Sequence, residues 1–179
     1  MSGPRRIIIG ANGSPGSIRA LRYAEDLAHF SGAALVPVIA WTPPGGELAE
    51  RRAPSLELRR AWAEAAQARL REAMNAAWGG LPDGLDVRAV IARGEAGPVL
   101  VDVAESGDDL LVLGAGRRGL RSWLAGGRVA RYCLRHAVCP VLAVPPAALG
   151  SPAGLRGWAF RHRELTLDRA MREWGKAAA

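Results

Sequence analysis

Five short apolar runs, separated by stretches with helical periodicity, constrain the fold of this chain more than any other feature. Each run has the length of one strand and is rich in Ile, Val, Leu or Ala, which suits strands buried on both faces. Strands that alternate with helices favour parallel βαβ units joined by right-handed crossovers. We therefore predict an α/β fold, a single Rossmann-like open sheet of five parallel strands with helices on both faces. The predicted strands are residues 6–10, 34–40, 86–92, 110–113 and 140–144.

Helical spacing predicts four helices between these strands. Ser17 suits the N-cap of the first helix and Gly32 its C-terminal stop, while Ser55 opens a long second helix. Residues 42–54 are rich in proline, glycine and charge, so we predict a surface loop there. The predicted helices are residues 17–31, 55–78, 96–106 and 127–136.

The composition changes after Val144, where two prolines end the last strand and a Gly/Pro/Ala-rich linker follows. Beyond the linker, apolar residues recur at i, i+3, i+4 and i+7, which predicts one amphipathic helix. We therefore divide the chain into an α/β domain, residues 5–145, and a C-terminal helical extension, residues 146–179, made of a linker and that helix. The apolar stripe consists of Leu167, Ala170, Met171 and Trp174.

The basic side chains are almost all arginine, and the formal net charge is +7. Arginine suits phosphate or carboxylate partners, so the charge suggests an anionic partner, although a GC-rich genome would also favour arginine codons. Lys176 is the only lysine, which excludes Walker-type and Schiff-base lysine chemistry from the α/β domain. Cys133 and Cys139 are six residues apart, and the histidines are scattered, so no redox or metal motif is present.

Membranes and nucleic acids are not expected partners. The chain has no apolar run of spanning length and no signal peptide before its first strand, so we expect a cytoplasmic protein. Arg128, Arg131 and Arg135 share one helix face, but aromatic residues are few and no nucleic-acid motif accompanies them. We interpret that face as solvated.

Two glycine-rich loops leave strand ends, residues 10–16 after the first strand and residues 114–127 after the fourth. Ligands of open α/β sheets bind beyond the carboxyl ends of the strands, where the strand order reverses. If the first and fourth strands are neighbours at that point, both loops border one crevice. The sequence therefore predicts a ligand site between them.

Two segments resemble the universal stress protein family. Residues 7–21 read IIIGANGSPGSIRAL and resemble the family's opening motif, and residues 134–144 read LRHAVCPVLAV and resemble its closing motif. The resemblance covers residues 5–145 and implies a five-stranded parallel Rossmann-like sheet. It also implies a homodimer, with pairing through the last strand, residues 139–144.

The ATP-binding branch of this family carries the motif G-x2-G-x9-G-[S/T] after the fourth strand. This chain has glycine at Gly114 and Gly127 but arginine at Arg117 and Arg128, where the motif has glycine and Ser/Thr. The family's aspartate after the first strand is Asn12 here, and its hydrophobic base contact falls on Val38. The resemblance implies ATP as ligand and leaves a need for magnesium open. The candidate ligand-binding residues are Ala11, Asn12, Val38, Gly114, Arg117, Gly127, Arg128 and Val129.

The two arginines in the motif leave three hypotheses open. Arg117 and Arg128 either grip a phosphate through their N–H donors or fill the pocket. In the first case the chain is a regulatory binding protein for ATP or a related anionic nucleotide, without appreciable turnover. In the second it is a ligand-free structural or partner-binding dimer. A nucleotide hydrolase is the third hypothesis, but we identify no catalytic residue and no metal ligand for it.

Overall fold

The computed structural model describes residues 3–115 and 127–145. Arg117, the rest of the loop after the fourth predicted strand, and the C-terminal extension from residue 146 lie outside this part of the chain. The division into residues 5–145 and 146–179 and the amphipathic C-terminal helix therefore remain predictions.

The described residues contain one sheet of five parallel strands, which confirms the predicted all-parallel sheet. The strands are β1 (Arg6–Gly10), β2 (Ala34–Trp41), β3 (Val90–Arg93), β4 (Asp109–Gly114) and β5 (Val141–Val144). Their order in the sheet is β3-β2-β1-β4-β5. Because β1 lies at the centre and the order reverses between β1 and β4, the switch point of the fold falls between these two strands.

Helices cover both faces of the sheet, as predicted. They are α1 (Pro15–Ser31), α2 (Gly46–Arg52), α3 (Leu56–Trp78), α4 (Ala96–Val103) and α5 (Arg128–His136). Alternate residues of a strand face opposite sides, so Ile7 and Ile9 pack with α1 and α3 while Ile8 packs with α4 and α5. All three isoleucines are fully buried. The apolar runs are continuous because both faces of each strand are covered.

Two helix predictions need correction. The N-cap of α1 is Ser14, whose hydroxyl accepts the N–H of Ser17, so Ser17 lies inside the first turn instead of capping it. The predicted loop over residues 42–54 contains the short helix α2. Apolar periodicity could not reveal α2, because Glu50 is its one buried residue.

The third strand begins later than predicted, at Val90, because Pro37 interrupts its pairing with β2. Leu35 exchanges backbone hydrogen bonds with the segment preceding β3, through Asp86 and Arg88. In a parallel sheet Pro37, two residues on, faces the same neighbour, but proline has no N–H to donate. Regular pairing resumes at Val38 and Val90.

An ion pair joins β1 and β4 at the amino edge of the sheet. Arg6 and Asp109 are register partners, and Nε and Nη2 of Arg6 donate to the two carboxylate oxygens of Asp109 at 2.8 and 2.7 Å. The Asp109 side chain is 1% exposed. Hydrogen bonding from Arg6 holds the pKa of Asp109 below its usual value. The pair therefore fixes the register of the two strands that flank the switch point.

We expect Asp109→Asn to lower the free energy of unfolding near pH 7 by roughly 1–3 kcal/mol, because a buried charge-assisted hydrogen-bonding group is lost. The lowered pKa makes this contribution present above the unfolded-state value of about 3.9, and it is lost as the pH falls through the folded-state pKa. Urea unfolding of both proteins near pH 7 and near pH 3 is the measurement, with Asp108→Asn on the exposed neighbour as control. Equal stability of wild type and Asp109→Asn near pH 7 would contradict this role.

Candidate functional site

The loop after β1 is a tight turn held by its own side chains. The Asn12 side-chain oxygen accepts the N–H of Ser14 at 3.0 Å, and Gly13 has a φ of +78°, which favours glycine. Ser17 accepts the N–H of Asn12 at 3.3 Å and donates to the Ser14 carbonyl at 2.9 Å. Asn12 is exposed at the carboxyl edge of the sheet, but its oxygen serves the turn.

The loop is also fastened to β2. The N–H of Ala11 donates to the carbonyl of Val38 at 2.8 Å, and both side chains are buried, with 3% and 1% of the residue exposed. Val38 packs in the core beneath α4 and α5. The structure therefore places the Val38 side chain in the core, and only backbone atoms of Ala11 and Val38 approach the edge where a base was predicted.

The end of β4 touches the first turn of α1 through two glycines. A Cβ built on Gly114 would lie 2.6 Å from the carbonyl carbon and 2.6 Å from the oxygen of Gly16, closer than real Cβ atoms approach backbone. Gly10 is crowded in the same way, since its Cβ would lie 2.7 Å from Cδ2 of Leu113. Only glycine at position 114 allows β4 and the β1–α1 loop to meet this closely.

Helix α5 brings backbone donors to the same edge. It leads from the loop after β4 back to β5, which pairs in parallel with β4, so its first turn faces the carboxyl edge of the sheet. Gly127 precedes the helix and has no side chain of its own to cap it. The first N–H groups of a helix have no partner within the helix and carry partial positive charge. Arg128 is exposed on this turn, and Val129 packs into the core beneath it.

The structure thus brings Ala11, Asn12, Val38 and Gly114 together around β1, β2 and β4, with the residues from Gly127 to Val129 opening the helix that follows. Arg117 lies outside the described residues. What these groups offer chemically is backbone N–H donors and one guanidinium at the carboxyl edge of the sheet. This combination suits an anion.

The cysteines are not placed for chemistry. Burial raises the pKa of Cys133 to about 11, and burial also raises the pKa of Cys139. Both thiols therefore stay protonated near neutral pH and pack as apolar side chains. Within residues 3–115 and 127–145 no group of three His, Cys, Asp or Glu side chains could hold a metal ion. None of the described helices is long and apolar enough to cross a membrane.

Sequence reasoning missed a charged cluster at the carboxyl ends of β2 and β3. Arg93 ends β3 and donates to Glu47 and Glu50 of α2, and Glu50 also accepts a hydrogen bond from Arg59 of α3. These hydrogen bonds, from Arg59 first and then Arg93, lower the pKa of Glu50. The guanidinium of Arg93 lies 5.7 Å from the centroid of the Trp41 ring. The charge density of residues 42–54 is the sequence signal for this cluster, and it is equally typical of a surface loop.

The sequence profile of the universal stress protein family matches residues 3–145. The chain belongs to the universal stress protein family. The match covers most of the chain and confirms the resemblance carried by the opening and closing motifs. No curated protein sequence is significantly similar to the chain.

Solved structures show the same fold. A universal stress protein in complex with cAMP is 24% identical, with a TM-score of 0.50, 80% of this chain covered and 98% of the other. The universal stress protein UspA from Lactobacillus plantarum is 21% identical, with a TM-score of 0.60 and coverages of 80% and 99%. The hypothetical protein MJ0577 is 17% identical, with a TM-score of 0.62 and coverages of 79% and 95%. These similarities confirm the fold of this universal stress protein, and its site residues remain predictions.

We expect Gly114→Ala to lower the free energy of unfolding by about 1–3 kcal/mol, since the added methyl overpacks a contact with rigid backbone. Gly107→Ala is the matched control, because a Cβ there meets nothing within 4 Å. Urea unfolding of both variants is the measurement. If the two variants were equally stable, the close contact between β4 and α1 would not be needed by the fold.

Proposed function

We propose that this universal stress protein is a regulatory binding protein that holds ATP or a related adenine nucleotide between the loops after β1 and β4, without appreciable turnover. The observation that carries the proposal is the approach of Gly114 to Gly16, which brings the end of β4 against the loop after β1 at the switch point of the sheet. Open α/β sheets bind ligands at this point.

The phosphate end of the ligand belongs at the start of α5. The first turn offers backbone N–H groups to an anion, and the helix dipole favours negative charge there. Arg128 adds up to five donors, which replaces the hydroxyl of the family motif by a charged fork. In this proposal Arg128 grips the phosphate instead of closing the pocket.

The base end of the ligand belongs over β1 and β2. The exposed Asn12 and the backbone of Ala11 and Val38 border that part of the edge. Because the Val38 side chain is in the core, the contact with a base comes from backbone atoms. The solved family member with cAMP supports an adenine nucleotide, since cAMP combines the same three chemical parts as ATP: base, ribose and phosphate.

The absence of turnover is part of the proposal. The buried thiols are held protonated, the one lysine is Lys176, and none of the site residues that the structure describes is placed as a general base. We expect phosphate release from saturating ATP to stay far below the roughly 1 per second of slow enzymes. Faster release that a change in either loop abolishes would make the chain a nucleotide hydrolase.

Arg128→Ala is expected to weaken ATP binding about tenfold or more, because a charge-assisted contact with phosphate is lost. Arg135→Ala is the matched control, since Arg135 is also exposed but lies in the last turn of α5. Titration calorimetry on the three proteins is the measurement. Tighter binding by Arg128→Ala would mean that Arg128 fills the pocket, and no binding by any protein would favour the ligand-free dimer.

A cytoplasmic homodimer joined through β5 is the second element of the proposal. The β5 strand lies at the edge of the described sheet. Carbonyls of Pro140 and Val144 accept hydrogen bonds from the β4 side, so in a parallel ladder Val141 and Ala143 direct their backbone groups to the open edge. An apolar edge with unpaired backbone groups favours pairing with a second copy.

We expect Ala143→Pro to shift this dimer to monomer, because it removes one outward N–H and leaves the β4 ladder intact. Sedimentation velocity at micromolar concentration measures the change, and the thermal midpoint shows whether the domain stays folded. A wild-type protein that sediments as a monomer would contradict the β5 interface.

A further inference from the structure

The short helix α2 is held in place by charge and not by apolar packing. Its one buried residue is Glu50, whose side chain is 3% exposed, while Leu48, its one large apolar residue, is 72% exposed. A seven-residue helix has no stability of its own in water. Its position therefore depends on the partners of its polar side chains.

Those partners come from two other elements. One carboxylate oxygen of Glu50 accepts from Nη2 of Arg93 at 2.7 Å, and the other accepts from Arg59 of α3. Glu47, one turn earlier, accepts from Nε of Arg93 at 3.1 Å. Arg93 is fixed in turn by its place at the end of β3 and by the Trp41 ring beneath it. We call Glu47, Glu50, Arg59 and Arg93 the α2 latch.

Solvent reaches this latch. The side chains of Arg59 and Arg93 are 39% and 32% exposed, and that of Glu47 is 47% exposed, so dissolved ions reach the two arginines and weaken their attraction to the α2 carboxylates. Apolar packing, by contrast, is not weakened by sodium chloride through such screening. A helix docked through these pairs alone is therefore sensitive to ionic strength.

The latch lies beside the proposed ligand crevice. β2 connects the two, because Val38 accepts the hydrogen bond from the β1 loop and Trp41, three residues on, supports Arg93. A cavity of about 420 Å³ lies between the segment leading into α2 and the turn after β3, with Pro43 buried in its wall. The residues lining it are Thr42, Pro43, Pro44, Gly45, Gly46, Glu47, Gly94 and Glu95.

We propose that α2 is an electrostatically latched lid at the base end of the ligand crevice. Closed, it holds the wall of the crevice beyond β2 in place. Released by loss of the Glu50 charge or by high ionic strength, it removes that wall and weakens nucleotide binding. The role toward nucleotide rests on the proposed function, whereas the latch itself is a property of the domain and is measurable without ligand.

The latch is tested by trypsin cleavage at Arg51 and Arg52, two exposed residues of α2 that become cleavable when the helix opens. Full-length wild type is compared with Glu50→Gln, which keeps the shape but removes the charge. Glu64→Gln is the matched control, an exposed glutamate of α3 without an ion pair in the described chain. Salt is varied from about 0.1 M to about 1 M, which shortens the screening length from about 10 Å to about 3 Å. Rates are normalised to a synthetic peptide of residues 44–58.

We expect Glu50→Gln to be cut at these sites several-fold faster than Glu64→Gln at low salt. Wild type is expected to approach the Glu50→Gln rate as salt rises, while the circular dichroism of both stays native. Equal cleavage of Glu50→Gln and Glu64→Gln, or a wild-type rate that salt leaves unchanged, would overturn the latch.

The lid's role is tested by ATP affinity at low salt, which we expect Glu50→Gln to lower several-fold relative to Glu64→Gln. Faster cleavage with unchanged affinity would overturn that role and leave the latch standing. No ATP binding by wild type would overturn the proposed function, and the ligand role of the lid with it, while the cleavage result would still decide the latch.

Discussion

The contact between Gly114 and Gly16 is the constraint on which the candidate site depends. It closes the carboxyl end of the β1–β4 pair, while the ion pair between Arg6 and Asp109 fixes the amino end of the same pair. Register at one end and close approach at the other hold the end of β4 in one position against the loop after β1. A ligand that binds at this edge meets groups already in place, so less entropy is lost on binding.

The polar groups of the candidate site lie at the ends of the strands because the core fills both faces of the sheet. Strands with buried apolar side chains on each side leave room for polar groups only where the strands end. At the carboxyl edge, backbone donors of α5 and the exposed Asn12 lie near β1 and β4, while the α2 latch lies over β2 and β3. Ligand contacts and the charged cluster therefore share one edge, connected by β2.

The α/β architecture could be predicted from the sequence because apolar periodicity distinguishes its strands from its helices. The run from Ile7 to Ile9 is short and apolar at every position, as in a strand covered on both faces, and α3 ends at Trp78 as predicted. Periodicity does not show which of two serines caps a helix, so it does not distinguish Ser14, the N-cap of α1, from Ser17. It also does not show that Pro37 would face β3, because that depends on which neighbour each residue of β2 bonds.

Less of the candidate site could be predicted from the sequence, because its contacts join residues that are distant along the chain. Glycine spacing indicated the loops, but the contact of Gly114 with Gly16 arises only once β4 is placed beside β1. Val38 is the predicted base contact, and its side chain packs beneath α4 and α5, because helices cover both faces of β2. Apolar periodicity cannot reveal the burial of Glu50, because a charged residue is expected at the surface. Its burial depends on Arg59 of α3 and Arg93 of β3, which the fold brings to it.

Backbone amide NMR during ATP titration tests the central claim, a nucleotide site at the switch point, most directly. The account predicts chemical-shift changes that saturate together at Asn12, at Gly114 and Ala115, and from Gly127 to Val129. The amides of Arg6 and Asp109 at the opposite edge should stay unchanged. Saturating ATP that leaves the carboxyl-edge amides unmoved, or moves only those at the amino edge, would contradict it.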